Sequence, residues 1–246
     1  MRAARVVLTA GLALAAAVPA LAQQTPPEPG TPKPFNAPDA RELTLPNGMR
    51  VTLVPYGEVP KATVQLVVRA GNVDEGPQEV WLADVTADLM QEGTTTRSAE
   101  AIAEEAARMG GSLTVGVGAN QTTIAGNSLM EFAPDMVRLV ADVTLNPAFP
   151  AEPLERIKAD RLRQLSIERS QPQSLATEKF RAVLYPSHAY GRIYPTAEMI
   201  QSYTLDRARA FHRANFSAAR AHLYVAGRFD EAAVESAIRS AFSGWA

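Results

Sequence analysis

Residues 80–98 read "VWLADVTADLMQEGTTTRS". Leu82, Val85 and Leu89 recur at i, i+3 and i+7, the apolar stripe of an amphipathic helix, so a helix is predicted over about 78–92. Gly93 is its expected stop, and Trp81 is expected to pack beside the stripe. Asp84, Ala87, Asp88 and Gln91 fall on the opposite, wetter side. Two aspartates at i and i+4 face each other, and like charges in that relation cost a helix a few tenths of a kcal/mol. A pair kept at such a cost asks for a chemical reason.

Upstream of this helix the chain changes character twice. "MRAARVVLTAGLALAAAVPALA" (1–22) places Arg2 and Arg5 before an apolar run and closes on Ala20-Leu21-Ala22, the small residues a signal peptidase reads. It is the pattern of a secretory signal, expected to be cut after Ala22 and to direct the chain to a periplasm or outside the cell. The run is shorter than a membrane-spanning helix requires, and no later apolar stretch is long enough to span a bilayer. Residues 23–40, "QQTPPEPGTPKPFNAPDA", hold six prolines and are expected to form an extended linker. Residues 41–246 are long enough for one large domain with a full core.

Composition narrows the classes of function. With 24 basic and 26 acidic residues the net charge is −2, and no basic stripe points to nucleic acid. Cysteine is absent, which excludes disulfides and thiolate metal sites.

The remaining segments alternate between strand-like and helix-like runs. "ELTLPNGMRVTLVPY" (42–56) reads as two strands around Asn47-Gly48, and "KATVQLVVRAG" (61–71) as a central strand. Ser98 caps a helix that Gly110-Gly111 end. "SLTVGVGAN" and "QTTIAGNSL" pair as a hairpin around Ala119-Asn120. Helices are expected over about 131–145, 151–170 and 173–184, and over 204–216 with Thr204 as N-cap. A strand over 221–229 and a helix capped by Asp230 close the sequence. Strands and helices in this order define an α+β domain.

The phrases "LTLPNGMRVTLVP", "VRAGNVDE", "WLADVTADLMQEGT" and "ARMGGSLTVGVGANQTTIAGNSL" occur in an order and spacing that resembles the N-terminal domain of the insulinase/pitrilysin family. "LNPAFP", "YPSHAYGR" and "YVAGRFD" extend the resemblance, which covers about 42–245. These are zinc peptidases of the inverzincin type, related to mitochondrial processing peptidase and the bc1 core subunits. The resemblance implies a mixed, mostly antiparallel sheet with helices packed on one face, the mitochondrial-processing-peptidase-like metallohydrolase domain.

In active members the opening helix carries H-x-x-E-H. Two imidazoles at i and i+4 bind zinc, the glutamate serves the metal-bound water as general base, and a downstream glutamate is the third protein ligand. Laid on that helix, "WLADVTADLMQEGT" has Asp84 and Asp88 at the histidine positions and Ala87 at the base. The downstream ligand falls in "ADRLRQLSIERSQP", at Gln164 or one residue to either side. Asp84, Asp88 and Gln164 offer oxygens only, a weak site that suits Mg²⁺, Ca²⁺ or Mn²⁺ better than zinc. A methyl group at Ala87 takes no proton from water, and general-base help is worth roughly 10²–10⁴ in rate. The site is therefore read as degenerate, with no catalytic residue, no bound metal and no cofactor in this chain. His188, His212 and His222 have no evident nucleophile beside them.

The resemblance further implies a partner. Family members form two-part clamshells around a peptide chamber, and bacterial versions often pair a subunit that has the zinc motif with one that lacks it. This chain is then the motif-lacking, non-catalytic subunit of a periplasmic zinc peptidase, with the zinc in its partner and a peptide as substrate. An edge strand within "GGSLTVGVGANQTTIAG" would capture extended peptides by strand addition. Two other readings stay open: a metallopeptidase with an altered Asp84/Asp88/Gln164 site, and a stand-alone peptide-binding or scaffold domain of the envelope. A second, C-terminal domain is implied but absent from these residues, so the sequence is expected to be a fragment of a longer protein.

Overall fold

A computed structural model of the chain describes Gly30 and residues 36–246. The expected signal segment, 1–22, and most of the proline-rich segment, 23–40, lie outside the described residues. Pro38–Ala246 form one compact unit.

Six strands make one sheet: β1 (Arg41–Thr44), β2 (Arg50–Pro55), β3 (Lys61–Val68), β4 (Leu113–Val117), β5 (Thr122–Leu129) and β6 (Ala221–Gly227). Their spatial order is β1-β2-β6-β3-β5-β4. Every neighbouring pair is antiparallel except β2 and β6, which run parallel. β3 is central, as its sequence predicts. Alternation decides which face is buried. The register aligns Val51, Leu223, Leu66 and Ile124 in one row across β2, β6, β3 and β5, and all four are fully buried. Thr63 and Tyr224, on the other face, remain exposed.

Eight α-helices are described, with the core packed against the apolar rows: α1 (Leu82–Gln91), α2 (Ala99–Arg108), α3 (Ala133–Leu145), α4 (Leu154–Ser170), α5 (Pro172–Leu184), α6 (Ala197–Ser202), α7 (Leu205–Asn215) and α8 (Glu231–Phe242). α3 lies on β3 and β5 and touches α8, while α1 meets β4, α7 and α4. Gly126 lets α3 approach closely, because a Cβ there would sit 2.2 Å from the Met136 sulfur. The caps foreseen at Ser98, Thr204 and Asp230 form, each side chain accepting a backbone N–H of the first turn.

Three local features depart from the sequence reading. α6 is unforeseen, since six residues are too few to display a period. α1 begins at Leu82 rather than near 78, because Trp81 adopts a left-handed conformation with φ 71°. Ala87 is buried, not part of a wet stripe, so α1 is apolar around most of its circumference and only Asp84, Asp88 and Gln91 are half-buried.

Tyr203, just after α6, is fully buried and donates its hydroxyl to the Val80 carbonyl at 2.5 Å, tying that segment to the start of α1. Tyr203→Phe leaves the carbonyl without this partner and should cost about 1–2 kcal/mol in urea unfolding. An unchanged midpoint would mean that the bond contributes nothing net.

Candidate functional site

The site is built where α4 crosses α1. The first turn of α1 is capped from a distance: Glu75 accepts from Trp81 N at 3.1 Å and Ala83 N at 2.8 Å, replacing the side-chain cap that Trp81 cannot supply. Asn72 uses one amide group to bridge two carboxylates, donating to Glu75 Oε1 at 3.1 Å and Asp84 Oδ2 at 2.8 Å. Burial pushes the Glu75 carboxyl up to about 8, against the pull of the N–H groups it accepts from. Burial also raises the Asp84 carboxyl, opposed by Arg161 and by the Asn72 amide.

Between the two aspartates stands a residue that the sequence did not single out. Arg161 of α4 forms a fork on Asp88, with Nε to Oδ2 at 2.7 Å and Nη2 to Oδ1 at 2.8 Å. Its Nη1 reaches Asp84 Oδ1 at 3.3 Å and Gln164 Oε1 at 3.0 Å, and Nη2 lies 3.5 Å from the Asp84 carbonyl. The three residues inferred from sequence, Asp84, Asp88 and Gln164, are thus brought together by one guanidinium. The i,i+4 repulsion that α1 would suffer alone is neutralised by this cation. Ala87, on the same helix, presents no proton acceptor.

These residues do not fit a zinc ion. The donors at the two helix positions are carboxylate oxygens already directed at Arg161, and neither a nitrogen nor a sulfur ligand is among them. A fixed positive charge within hydrogen-bond distance of both carboxylates opposes any second cation there. The cluster forms part of the wall of a cavity of about 370 Å³ between α1 and α4, lined by Asp88, Arg161 and Gln164 together with Gln91, Glu92 and Arg156 among others.

The edge of the sheet adjoins this cluster. Gln91 of α1 accepts from Val115 N of β4 at 3.3 Å, and β4 is the last strand in the order. Gln91, about one turn beyond Asp88 on α1, is therefore in contact with the strand edge.

The histidines lie elsewhere. His188 Nδ1 accepts from Tyr190 N, and His212 is half-buried against Phe149 and Phe216 with Nε2 at 2.9 Å from the Thr144 carbonyl. Burial lowers the His212 imidazole. His222 requires a correction, because the parallel pairing of β2 with β6 sets Thr52 Oγ1 2.8 Å from its Nε2. Arg50 donates to Nδ1 at 2.9 Å, so the proton is on Nε2 and is directed at the threonine. An imidazole in that tautomer is a donor to the hydroxyl and cannot act as its base.

The six-stranded sheet with its helices is an α+β domain, and its sequence places it in a family. The model of the insulinase family, peptidase family M16, matches residues 51–195, and that of the peptidase M16 inactive domain matches 202–246. The chain belongs to the insulinase family. An uncharacterized zinc protease of Mycobacterium tuberculosis is 29% identical over 203 residues, covering 82% of this chain and 46% of that protein. A protease from Helicobacter pylori superposes with a TM-score of 0.78 at 18% identity, covering 85% of this chain and 51% of that one. The peptidase M16 inactive domain from Pseudomonas fluorescens gives 0.76 at 24% identity, covering 83% and 51%. The chain therefore spans about half the length of the relatives it matches. The mostly antiparallel sheet with helices on one face agrees with the architecture expected from the sequence. No helix among the described residues is long and apolar enough to cross a membrane.

Proposed function

We propose that this chain is a non-catalytic insulinase-family subunit that helps enclose the peptide chamber of a zinc peptidase in the periplasm. The observation that carries the proposal is the Arg161 guanidinium seated between Asp84 and Asp88, with Ala87 where a general base would stand. A peptidase of this type needs a bound metal, an activated water and a base on this helix. Here the helix supplies two occupied carboxylates and a methyl group. The zinc and its base belong in this reading to a partner that carries H-x-x-E-H.

The edge strand β4 supports a role in holding peptide. It is the last strand of the sheet, and an extended peptide would add to it as a further strand beside the degenerate site by displacing the Gln91 side chain from Val115 N. The N-terminal stretch 1–22, with its two arginines, apolar run and Ala20-Leu21-Ala22, supports export.

Co-expression with a motif-bearing homologue from the same genome tests the proposal. A complex should elute together in size exclusion and hydrolyse oligopeptides, whereas this chain alone should hydrolyse none. Failure to form a complex, with the homologue fully active by itself, would sink the partner role.

A further inference from the structure

The open face of the sheet, opposite the helices, carries a second site. At its end Arg50, His222 and Val67 stand in register across β2, β6 and β3. Arg69 is set beside Arg220, its N–H donating to the Arg220 carbonyl at 2.9 Å. Together with Gln121 and Tyr224 these residues line a cavity of about 330 Å³, within the range of small-ligand pockets.

The charges of this cavity are not balanced. Arg220 pairs with Asp74 at 2.7 Å. Arg50 and Arg69 have no carboxylate within 4.0 Å among the described residues. Arg50 donates to a neutral imidazole nitrogen and Arg69 to the Ala219 carbonyl at 3.3 Å. Two guanidinium groups therefore face one cavity with neutral acceptors as their protein partners. Their donors are arranged in forks suited to a planar or tetrahedral oxyanion.

The surroundings hold the acceptor side in place. The His222 ring stacks on Tyr224 at 4.0 Å between centroids, its Nε2 fixed by Thr52 and its Nδ1 receiving both Arg50 and the Tyr224 hydroxyl at 3.0 Å. An oxyanion entering the cavity would exchange the Arg50–imidazole hydrogen bond for an ion pair with opposite charge, leaving Nδ1 to the Tyr224 hydroxyl. Gly48 at the β1–β2 turn adds no side chain to the cavity wall.

We propose that this cavity binds a compact oxyanion, either a phosphate group or a terminal carboxylate, through Arg50 and Arg69. It is distinct from the Asp84/Arg161/Asp88 cluster and does not depend on the partner-subunit reading. The net attraction of two unmatched cations draws anions to the cavity, and their geometry selects a small group with two or more oxygens over a chloride ion.

Titration of the full chain with inorganic phosphate at constant ionic strength tests this, observed by calorimetry and by the His222 ring resonances in NMR. A parallel titration uses a short neutral peptide with a free C-terminus and its C-terminally amidated twin. Saturable single-site binding that moves the His222 resonances is expected for phosphate or for the free-carboxylate peptide. Arg50→Gln and Arg69→Gln should each weaken it about tenfold or more. Both positions are exposed, so these variants should keep the parent's melting temperature. Phosphate binding without peptide binding assigns the site to phosphate groups, and peptide binding abolished by amidation assigns it to chain termini. Saturation by neither probe, or saturation left intact in both variants, overturns the proposal.

Discussion

Arg161→Ala is expected to destabilise the fold by about 3 kcal/mol, because it removes one cation and strands two half-buried carboxylates that face each other on α1. The side chains are sufficiently sheltered for this to register: Arg161 is 17% exposed, Asp84 19% and Asp88 30%. The effect is not that of a surface ion pair, which would contribute under about 1 kcal/mol. Urea unfolding of the variant gives the loss directly. Adding Asp84→Asn and Asp88→Asn to Arg161→Ala should recover most of it, since the repulsion then disappears. The single variant should also gain a weak affinity for Mn²⁺, seen as a rise in melting temperature that the parent does not show. If Arg161→Ala is as stable as the parent and equally indifferent to Mn²⁺, Arg161 does not hold the place described.

Glu75 provides the other large effect. Its carboxyl stands at about 8 in the folded chain against an ordinary 4.5. Between these values the folded state holds a proton that the unfolded state has released, so stability falls as pH rises. The contribution is complete below about pH 4.5 and is lost by about pH 8. At roughly 1.4 kcal/mol per unit the loss is on the order of 3–5 kcal/mol. Comparing urea unfolding at pH 5 and pH 8.5 measures it, with Glu75→Gln as reference. The parent should lose several kcal/mol more than the variant over this interval. Equal slopes would show that the three N–H donors at Glu75 keep it ionised throughout.

Much of this was legible from residues alone. The Asn47-Gly48 turn, the alternation in β3 and the caps at Ser98, Thr204 and Asp230 are local signals, and each fixed an element. The i,i+4 spacing made the aspartate pair in α1 conspicuous, and the resemblance to the H-x-x-E-H helix marked it as the site. What could not be read is how distant segments meet. Nothing in residues 221–227 shows that they insert between β2 and β3, and this pairing alone brings Thr52 and Arg50 to His222. Arg161 did leave a trace. Ile157 and Leu165 are buried on α4, and Arg161 lies between them at i+4 from the first and i−4 from the second. A charged residue in the middle of an apolar stripe needs a carboxylate opposite, and the unpaired aspartates of α1 were the available ones. The left-handed Trp81 left no such trace, because its cap comes from Glu75, six residues earlier.

The zinc stoichiometry of the purified chain tests the central claim most directly. Calorimetric titration with Zn²⁺ at pH 7.5, repeated on Asp84→Asn, is predicted to show no stoichiometric binding in either protein. One equivalent bound at micromolar affinity or tighter by the parent, and lost in Asp84→Asn, would contradict it.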